Sequence, residues 1–291
     1  MATIAFLGLG VMGYPMAGHL LKKGGHEVKV YNRSAAKAAQ WVKEYGGKSA
    51  PTPREAAQGC DFVLMCVGND DDVRSVVYGE QGALAGMQRG AILVDHTTAS
   101  AILARELHKT CKDKGLGFVD APVSGGQAGA VNGQLGIMCG GEPADFERAK
   151  PVLDIYAKMC ALIGAPGAGQ LTKMVNQIVI AGLLQGLAEG LNFGKRAGLD
   201  LEKVIGVISK GAAQSWQMEN RWKPMNEVKF DGFGFAVDWM RKDLGICLEE
   251  AKKNGARLPF TALVDQFYAQ VQARGGSRWD TCSLMHLLAR D

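Results

Sequence analysis

A lysine and an asparagine, Lys173 and Asn176, stand three residues apart in QLTKMVNQIVI, a stretch otherwise crowded with apolar side chains. On a helix that spacing places both on one face, so an ammonium and an amide can address the same small molecule. Burying an unpaired ammonium is costly unless it loses its proton or finds a partner. A functional role is the simplest reason to keep a lysine there, and a positioned group that gives and takes a proton is what general acid–base catalysis requires. The competing reading is a lysine in an exposed first turn, its stem on apolar surface and its head in water. On these residues alone the two readings stand level.

A second constellation lies at the N-terminus, where Gly8-Leu9-Gly10-Val11-Met12-Gly13 follows an apolar run and precedes MAGHLLKKG. In G-x-G-x-x-G the first glycine permits a tight turn and the second lets the backbone approach a pyrophosphate. The third lets helix and strand pack closely, with the helix N-terminus facing the negative charge. A glycine-rich turn that binds nothing is the alternative. In the same fold a carboxylate about 20 residues later receives the ribose hydroxyls of NAD, yet the second strand here ends in VYNRSAAK, with Asn32 and Arg33 followed by Ser34 and Lys37. A neutral side chain, a guanidinium suited to bidentate phosphate contact, a hydroxyl and a second cation suggest the 2′-phosphate of NADP(H), with NAD(H) as the alternative. A solvated basic turn would have the same composition.

Ser124-Gly125-Gly126 follows a further strand, and two glycines after a serine allow a concave row of N–H groups that could receive a carboxylate; an ordinary turn is the other reading. Thr97 and Thr98 lie just past a strand's carboxyl end, on the side where open α/β sheets bind ligands. His96 has no partner identifiable in sequence and reads as structural. Lys242, followed by Asp243, could be a surface pair. The seven cysteines are scattered, without C-x-x-C or histidines at metal-ligand spacing, so neither a disulfide framework nor a metal site is expected, and a reducing cytoplasm fits best.

The elements that must position these residues read as α/β. From Thr3 to about Ile163 short apolar runs alternate with helical patterns, TIAFLGL, HEVKVYN, DFVLMCV, AILVDH, LGFVDAP, QLGIMCG and KMCALIG. This is the rhythm of a Rossmann-type, doubly wound parallel sheet with helices on both faces. After Gly164-Ala165-Pro166-Gly167 it stops. One long helical pattern runs from about Gly169 to Arg196, with Leu171, Met174, Val175, Ile178, Val179, Leu183, Leu184 and Leu187 nearly all round it, and should be buried. Further helical stretches and no convincing strand follow. We therefore expect a dinucleotide-binding domain over 1–165 and an all-helical substrate and oligomerisation domain over 166–291, with no repeat or flexible linker.

FLGLGVMGYPMA, DAPVSGGQAGA (Asp120 to Ala130), GAGQLTKMVNQ (Gly167 to Gln177) and MRKDLG (Met240 to Gly245) occur in this order, and together they make nearly the whole chain resemble the β-hydroxyacid dehydrogenase family. The resemblance implies that Lys173 is the catalytic lysine and that Asn176, one turn on, helps hold the substrate. It implies that Ser124, Gly125 and Gly126 bind the substrate carboxylate, that Thr98 contacts the cofactor, that Lys242 lies near cofactor and substrate cleft, and that Phe235 closes the pocket. QSWQMENRW, with Trp216 and Trp222, matches no strong family pattern. The expected reaction is reversible hydride transfer between NADP(H), or alternatively NAD(H), and a small carboxylate-bearing semialdehyde or hydroxyacid. An imine reductase of the same architecture, which usually lacks the lysine, and a non-catalytic dinucleotide-binding protein are the alternatives.

The chain has 291 residues, 47% hydrophobic and 21% charged, enough for one large or two ordinary domains. A formal charge of +4 over 33 basic and 29 acidic side chains is small and evenly mixed, which argues against nucleic acid or a membrane surface as partner. The N-terminus runs directly into a strand pattern and does not read as a signal peptide. The most apolar stretch, IVIAGLLQGLAEGL, is interrupted by Gln185 and Glu189, so no membrane span is expected. A homodimer or homotetramer is expected from the apolar helix.

Overall fold

The strand β1 (Thr3–Leu7) is apolar on both faces because it lies inside a sheet covered on both sides: Ile4 and Phe6 enter one buried cluster, Ala5 and Leu7 the other. Such strands read as continuous apolar runs and not as alternations. A computed structural model of the protein describes residues 1–288. Among them one sheet holds β1, β2 (Glu27–Tyr31), β3 (Lys48–Ser49), β4 (Phe62–Met65), β5 (Ile92–Asp95), β6 (Gly117–Asp120), β7 (Val123–Ser124), β8 (Leu135–Gly141) and β9 (Ala157–Gly164). The helices between them are α1 (Gly13–Lys22), α2 (Ala35–Tyr45), α3 (Pro53–Ala57), α4 (Asp70–Val77), α5 (Ala101–Asp113), α6 (Gly126–Asn132) and α7 (Pro143–Leu153).

The order β3-β2-β1-β4-β5-β6 is parallel throughout. It reverses direction between β1 and β4, and ligands of such sheets bind at the carboxyl ends beside that reversal. The loop after β1, Asn32 after β2, Cys66 after β4, Thr98 after β5 and Ala121 after β6 all follow carboxyl ends. The expected doubly wound parallel sheet runs through β6, and beyond it β8 runs antiparallel to both β6 and β7. The chain between β7 and β8 holds only the short α6, too little for the long crossover that a parallel return needs. β9 then pairs parallel with β8.

Two compact units divide the chain, Met1–Lys173 and a second beginning at Met174. The division falls inside α8 (Ala168–Arg196). The second unit continues through α9 (Leu201–Ile208), α10 (Trp216–Glu227), α11 (Val237–Asn254) and α12 (Pro259–Ala273). Its core gathers Ala181, Leu184, Ala188 and Leu191 of α8 with Met240 and Leu244 of α11 and Val264 and Tyr268 of α12.

α8 is not buried all round, as its sequence suggested. Val175, Val179 and Leu183 are exposed, four residues apart along one stripe, while the core-facing positions lie on another. The expectation that Gln185 and Glu189 spoil a membrane span is also corrected: α8 is long and apolar enough to pass for one, with a mean hydropathy of 1.3 in its best window. A core helix carries the same signature, and 44% of that window is buried in the protein.

Candidate active site

The glycines after β1 occupy positions that a side chain would disrupt. Gly8 adopts φ +94°, and a Cβ there would collide with the carbonyl oxygen of Cys66; a Cβ on Gly13 would collide with that of Gly8. Gly10 differs, for nothing lies within 4 Å of where its Cβ would stand, which leaves its backbone open to a ligand. Val11 is exposed and Met12 half-buried. α1 has no side-chain cap at Met12 and no acid in its first turn, so no negative side chain there competes with an anion drawn by the positive end of the helix dipole. These residues fit the pyrophosphate of a dinucleotide.

At the end of β2, Asn32 is a brace. Its Oδ1 accepts the Leu9 N–H at 3.0 Å and its Nδ2 donates to the Ser34 carbonyl at 3.1 Å, tying the glycine loop to the start of α2. Arg33 is 91% exposed in its side chain and 3.4 Å from Asp72, an exposed pair of the kind that contributes little. Ser34 is the N-cap of α2, yet its hydroxyl makes no cap hydrogen bond, and Lys37 lies in the first helical turn. A hydroxyl, a guanidinium and an ammonium thus gather at a helix N-terminus.

After β5, Asp95 accepts the Thr97 N–H at 2.9 Å and Thr97 Oγ1 accepts the Val67 N–H at 3.1 Å. Half-buried Thr98 is bracketed by one buried amide: Gln170 donates from Nε2 to the Thr97 carbonyl at 2.7 Å and accepts the Ala99 N–H at 3.0 Å. His96 is structural. Its ring nitrogens meet the Ala121 carbonyl at 2.7 Å and the Tyr156 hydroxyl at 2.9 Å, and burial pushes its pKa down to about 4, so it is neutral near pH 7.

Lys173 is buried, at 7% exposure, which removes its reading as an exposed, snorkelling lysine. The start of its helix is fixed by the carboxylate of Asp120, which accepts the Gly167 N–H at 2.8 Å and the Gln170 N–H at 2.9 Å. Only glycine fits at 140 and 169, because a Cβ on either would press on Asp120. Ser124 ends β7, and Gly125 and Gly126 follow at φ +129° and +60°. That is a turn that glycines make at little cost, with open space where a Cβ on Gly126 would stand.

In the second unit the Asn176 amide donates to Gln177 Oε1 at 2.7 Å, and Gln177 in turn donates to Asp243 Oδ2 at 2.7 Å. Asp243 is buried, and its Oδ1 faces the Lys242 ammonium at 3.1 Å as an ionic contact without hydrogen-bond alignment. Lys242 also lies 5.8 Å from the centre of the Trp239 ring. It is therefore half of a partly buried network and not of a surface pair. Half-buried Phe235 is set by Asp280, which accepts its N–H at 2.9 Å and is itself held by Arg221 at 3.0 Å.

Residues 3–164 match the NAD binding domain of 6-phosphogluconate dehydrogenase, and residues 167–288 match the NAD-binding domain of NADP-dependent 3-hydroxyisobutyrate dehydrogenase. An oxidoreductase of Shewanella frigidimarina is 64% identical over 100% of this chain and 99% of its own. The 2-hydroxy-3-oxopropionate reductase of Escherichia coli is 33% identical over 98% of this chain and 96% of its own. The 3-hydroxyisobutyrate dehydrogenase of Mycobacterium tuberculosis, solved with L-serine, superposes with a TM-score of 0.90 at 30% identity, covering 100% of both chains. The chain belongs to the β-hydroxyacid dehydrogenase family. As a member of that family it is an oxidoreductase served by a nicotinamide dinucleotide.

Several residues that hold the candidate side chains in place were not singled out from the sequence. Gln170, Gln177 and Asp243 are buried polar residues on helices, and the signal was present: an amide or acid on an otherwise apolar helix needs a partner. Arg221 belongs to the stretch without a family pattern, and its service to the Phe235 loop comes through Asp280, 59 residues away, a separation that no local pattern reveals.

Proposed function

We propose that the protein catalyses reversible hydride transfer between NADP(H) and the carbonyl carbon of a small carboxylate-bearing semialdehyde, the reduced product being a hydroxyacid. The nicotinamide supplies or receives the hydride. Lys173 gives a proton to the developing alkoxide in reduction and takes it back in oxidation. Asn176 orients the substrate, Ser124, Gly125 and Gly126 receive its carboxylate, and Phe235 closes over it. Gly8, Gly10, Val11, Met12, Gly13, Thr98 and Lys242 serve the cofactor, and Asn32, Arg33, Ser34 and Lys37 form its 2′-phosphate end. Residues 1–165 would act as the cofactor domain and 166–291 as the substrate domain, in the cytoplasm.

The observation that carries this reading is a buried lysine one turn before an asparagine, on a helix whose first turn is locked by Asp120. The substrates and ligands named for two relatives support it, since 2-hydroxy-3-oxopropionate and L-serine each join a carboxylate to an oxygen function on C3. The test is turnover of glyoxylate and of succinic, methylmalonic and tartronic semialdehydes with each reduced cofactor. Oxidation of neither cofactor by any of them would sink it. We also propose that the exposed stripe of Val175, Val179 and Leu183 joins copies into a homodimer or homotetramer. Light scattering should give a multiple of the 31.0 kDa chain mass, reduced by Val179→Asp; a monomer before substitution would refute that.

A further inference from the structure

Cys139 on β8 and Cys160 on β9 face one another with their sulfurs 3.8 Å apart. The backbone partner of Cys160 is Ile137, so the two thiols are diagonal neighbours on one face of a parallel strand pair. Their access differs, Cys139 being buried and Cys160 half-exposed. The hydrogen bond from Cys139 favours the Cys160 thiolate, against its burial and Asp154 and with help from Lys150, while the same bond and burial push the Cys139 thiol up. An accessible sulfur thus stands beside a sheltered one. Neither takes part in the proton or hydride chemistry above.

We propose that Cys160 and Cys139 form an oxidisable dithiol site whose co-substrate is hydrogen peroxide. The Cys160 thiolate attacks a peroxide oxygen, forming an S–O bond and breaking the O–O bond; the departing hydroxide takes a proton and leaves as water. Cys139 then loses its proton and attacks the Cys160 sulfur, forming the S–S bond and breaking the S–O bond, with release of a second water. Two thiols are oxidised to one disulfide and one peroxide is reduced to two waters.

Closing the bond brings the sulfurs to about 2.05 Å, so β8 and β9 must shift locally. Their ladder is already irregular between Cys139 and Gly140, and Gly140 lies against the Asp120 carboxylate and the Gly169 backbone at the seat of α8. The cross-link therefore acts on the anchor of the helix that carries Lys173.

The test uses the intact protein treated with hydrogen peroxide and mapped as non-reduced peptides. A peptide linking Cys139 to Cys160, cleaved by dithiothreitol, is expected. In Cys139→Ser the expected product is a Cys160 sulfenic acid trapped by dimedone. Conversion of Cys160 to a sulfinic acid without any linked peptide in the unaltered protein would overturn the proposal, as would a Cys160 that stays reduced while other cysteines oxidise. Turnover of the oxidised protein should fall at least twofold and recover with dithiothreitol, a loss absent from Cys160→Ser. A full cross-link with unchanged turnover would overturn the link to α8. The peptide readout holds whatever the substrate proves to be.

Discussion

Asp95 and Asp120 are register partners on β5 and β6, two buried carboxyl groups side by side at the carboxyl ends of adjacent strands. Asp120 holds α8 and Asp95 holds the turn that leads to Thr98. Burial outweighs their hydrogen bonds, and it pushes Asp95 up to about 7 and Asp120 up to about 6.

The first prediction follows from that pair. In the unfolded chain a carboxyl titrates at about 3.9, so the folded state binds these protons more tightly. The stability they contribute is fully present below about pH 4, is lost as pH rises through the folded values near 6 and 7, and changes no further above them. For Asp95 the loss is on the order of 4 kcal/mol, at 1.36 kcal/mol per pKa unit. Asp95→Asn keeps an oxygen for the Thr97 N–H and removes the charge, so the fall in Tm between pH 5 and pH 8 should shrink. An equally steep fall in the variant would show that Asp95 does not govern it.

The second prediction concerns Lys173. Lys173→Ala should lower kcat by at least about 10²-fold, the usual contribution of a general acid–base group, with cofactor affinity nearly unchanged. Steady-state kinetics and fluorescence titration with the reduced cofactor check the two halves. Near-normal turnover in a folded variant would remove Lys173 from the mechanism.

Much of the candidate site was legible because its residues carry local patterns. The glycines of the first turn form a spacing pattern that fits within six residues, and the apolar runs of β1, β4, β5 and β6 announce a sheet covered on both faces. Lys173 and Asn176 stood out because a helix with apolar neighbours makes polar residues conspicuous. What stayed hidden depends on contacts between distant segments. Asp120 and Gln170 are 50 residues apart, and nothing near either one reveals the bond. The exposed stripe of α8 was missed for a related reason: Val175 and Leu184 are equally apolar, and only the packing of the second unit decides which is covered.

Gln170 gives the third prediction. Gln170→Leu would leave the Ala99 N–H and the Thr97 carbonyl without the buried amide that joins them, and an unsatisfied buried group costs about 1–3 kcal/mol. Thermal melts should show the lower stability, and KM for the cofactor should rise because Thr98 lies between the two lost bonds. A variant with unaltered cofactor KM would separate the Thr98 turn from cofactor binding.

Gly126 gives the fourth. Its φ of +60° and the open space beside it mean that Gly126→Val both strains the turn and fills the approach to the Ser124 loop. KM for aldehydes bearing a carboxylate should rise, while that for an aldehyde without one stays close to its original value. Equal losses for both would assign the loop to some task other than carboxylate binding.

The last prediction concerns the cofactor end of β2. An acid at this position would receive ribose hydroxyls and repel a 2′-phosphate, whereas Asn32 is neutral and its amide is committed to Leu9 and Ser34. Asn32→Asp would set a carboxylate against the Ser34 carbonyl and loosen the glycine loop, so it cannot isolate the charge effect. Arg33 and Lys37 can be changed without touching that brace. Among the described residues Arg33 is held only by an exposed contact with Asp72, which a phosphate can replace with a bidentate one. Charge-assisted contacts worth about 1.5–3 kcal/mol correspond to a preference for NADPH over NADH of at least about tenfold in kcat/KM. The double variant Arg33→Gln, Lys37→Gln should lose most of that preference, chiefly through a higher KM for NADPH, with KM for NADH nearly unchanged. An unaltered enzyme that works as well with NADH would mean that these side chains meet only water.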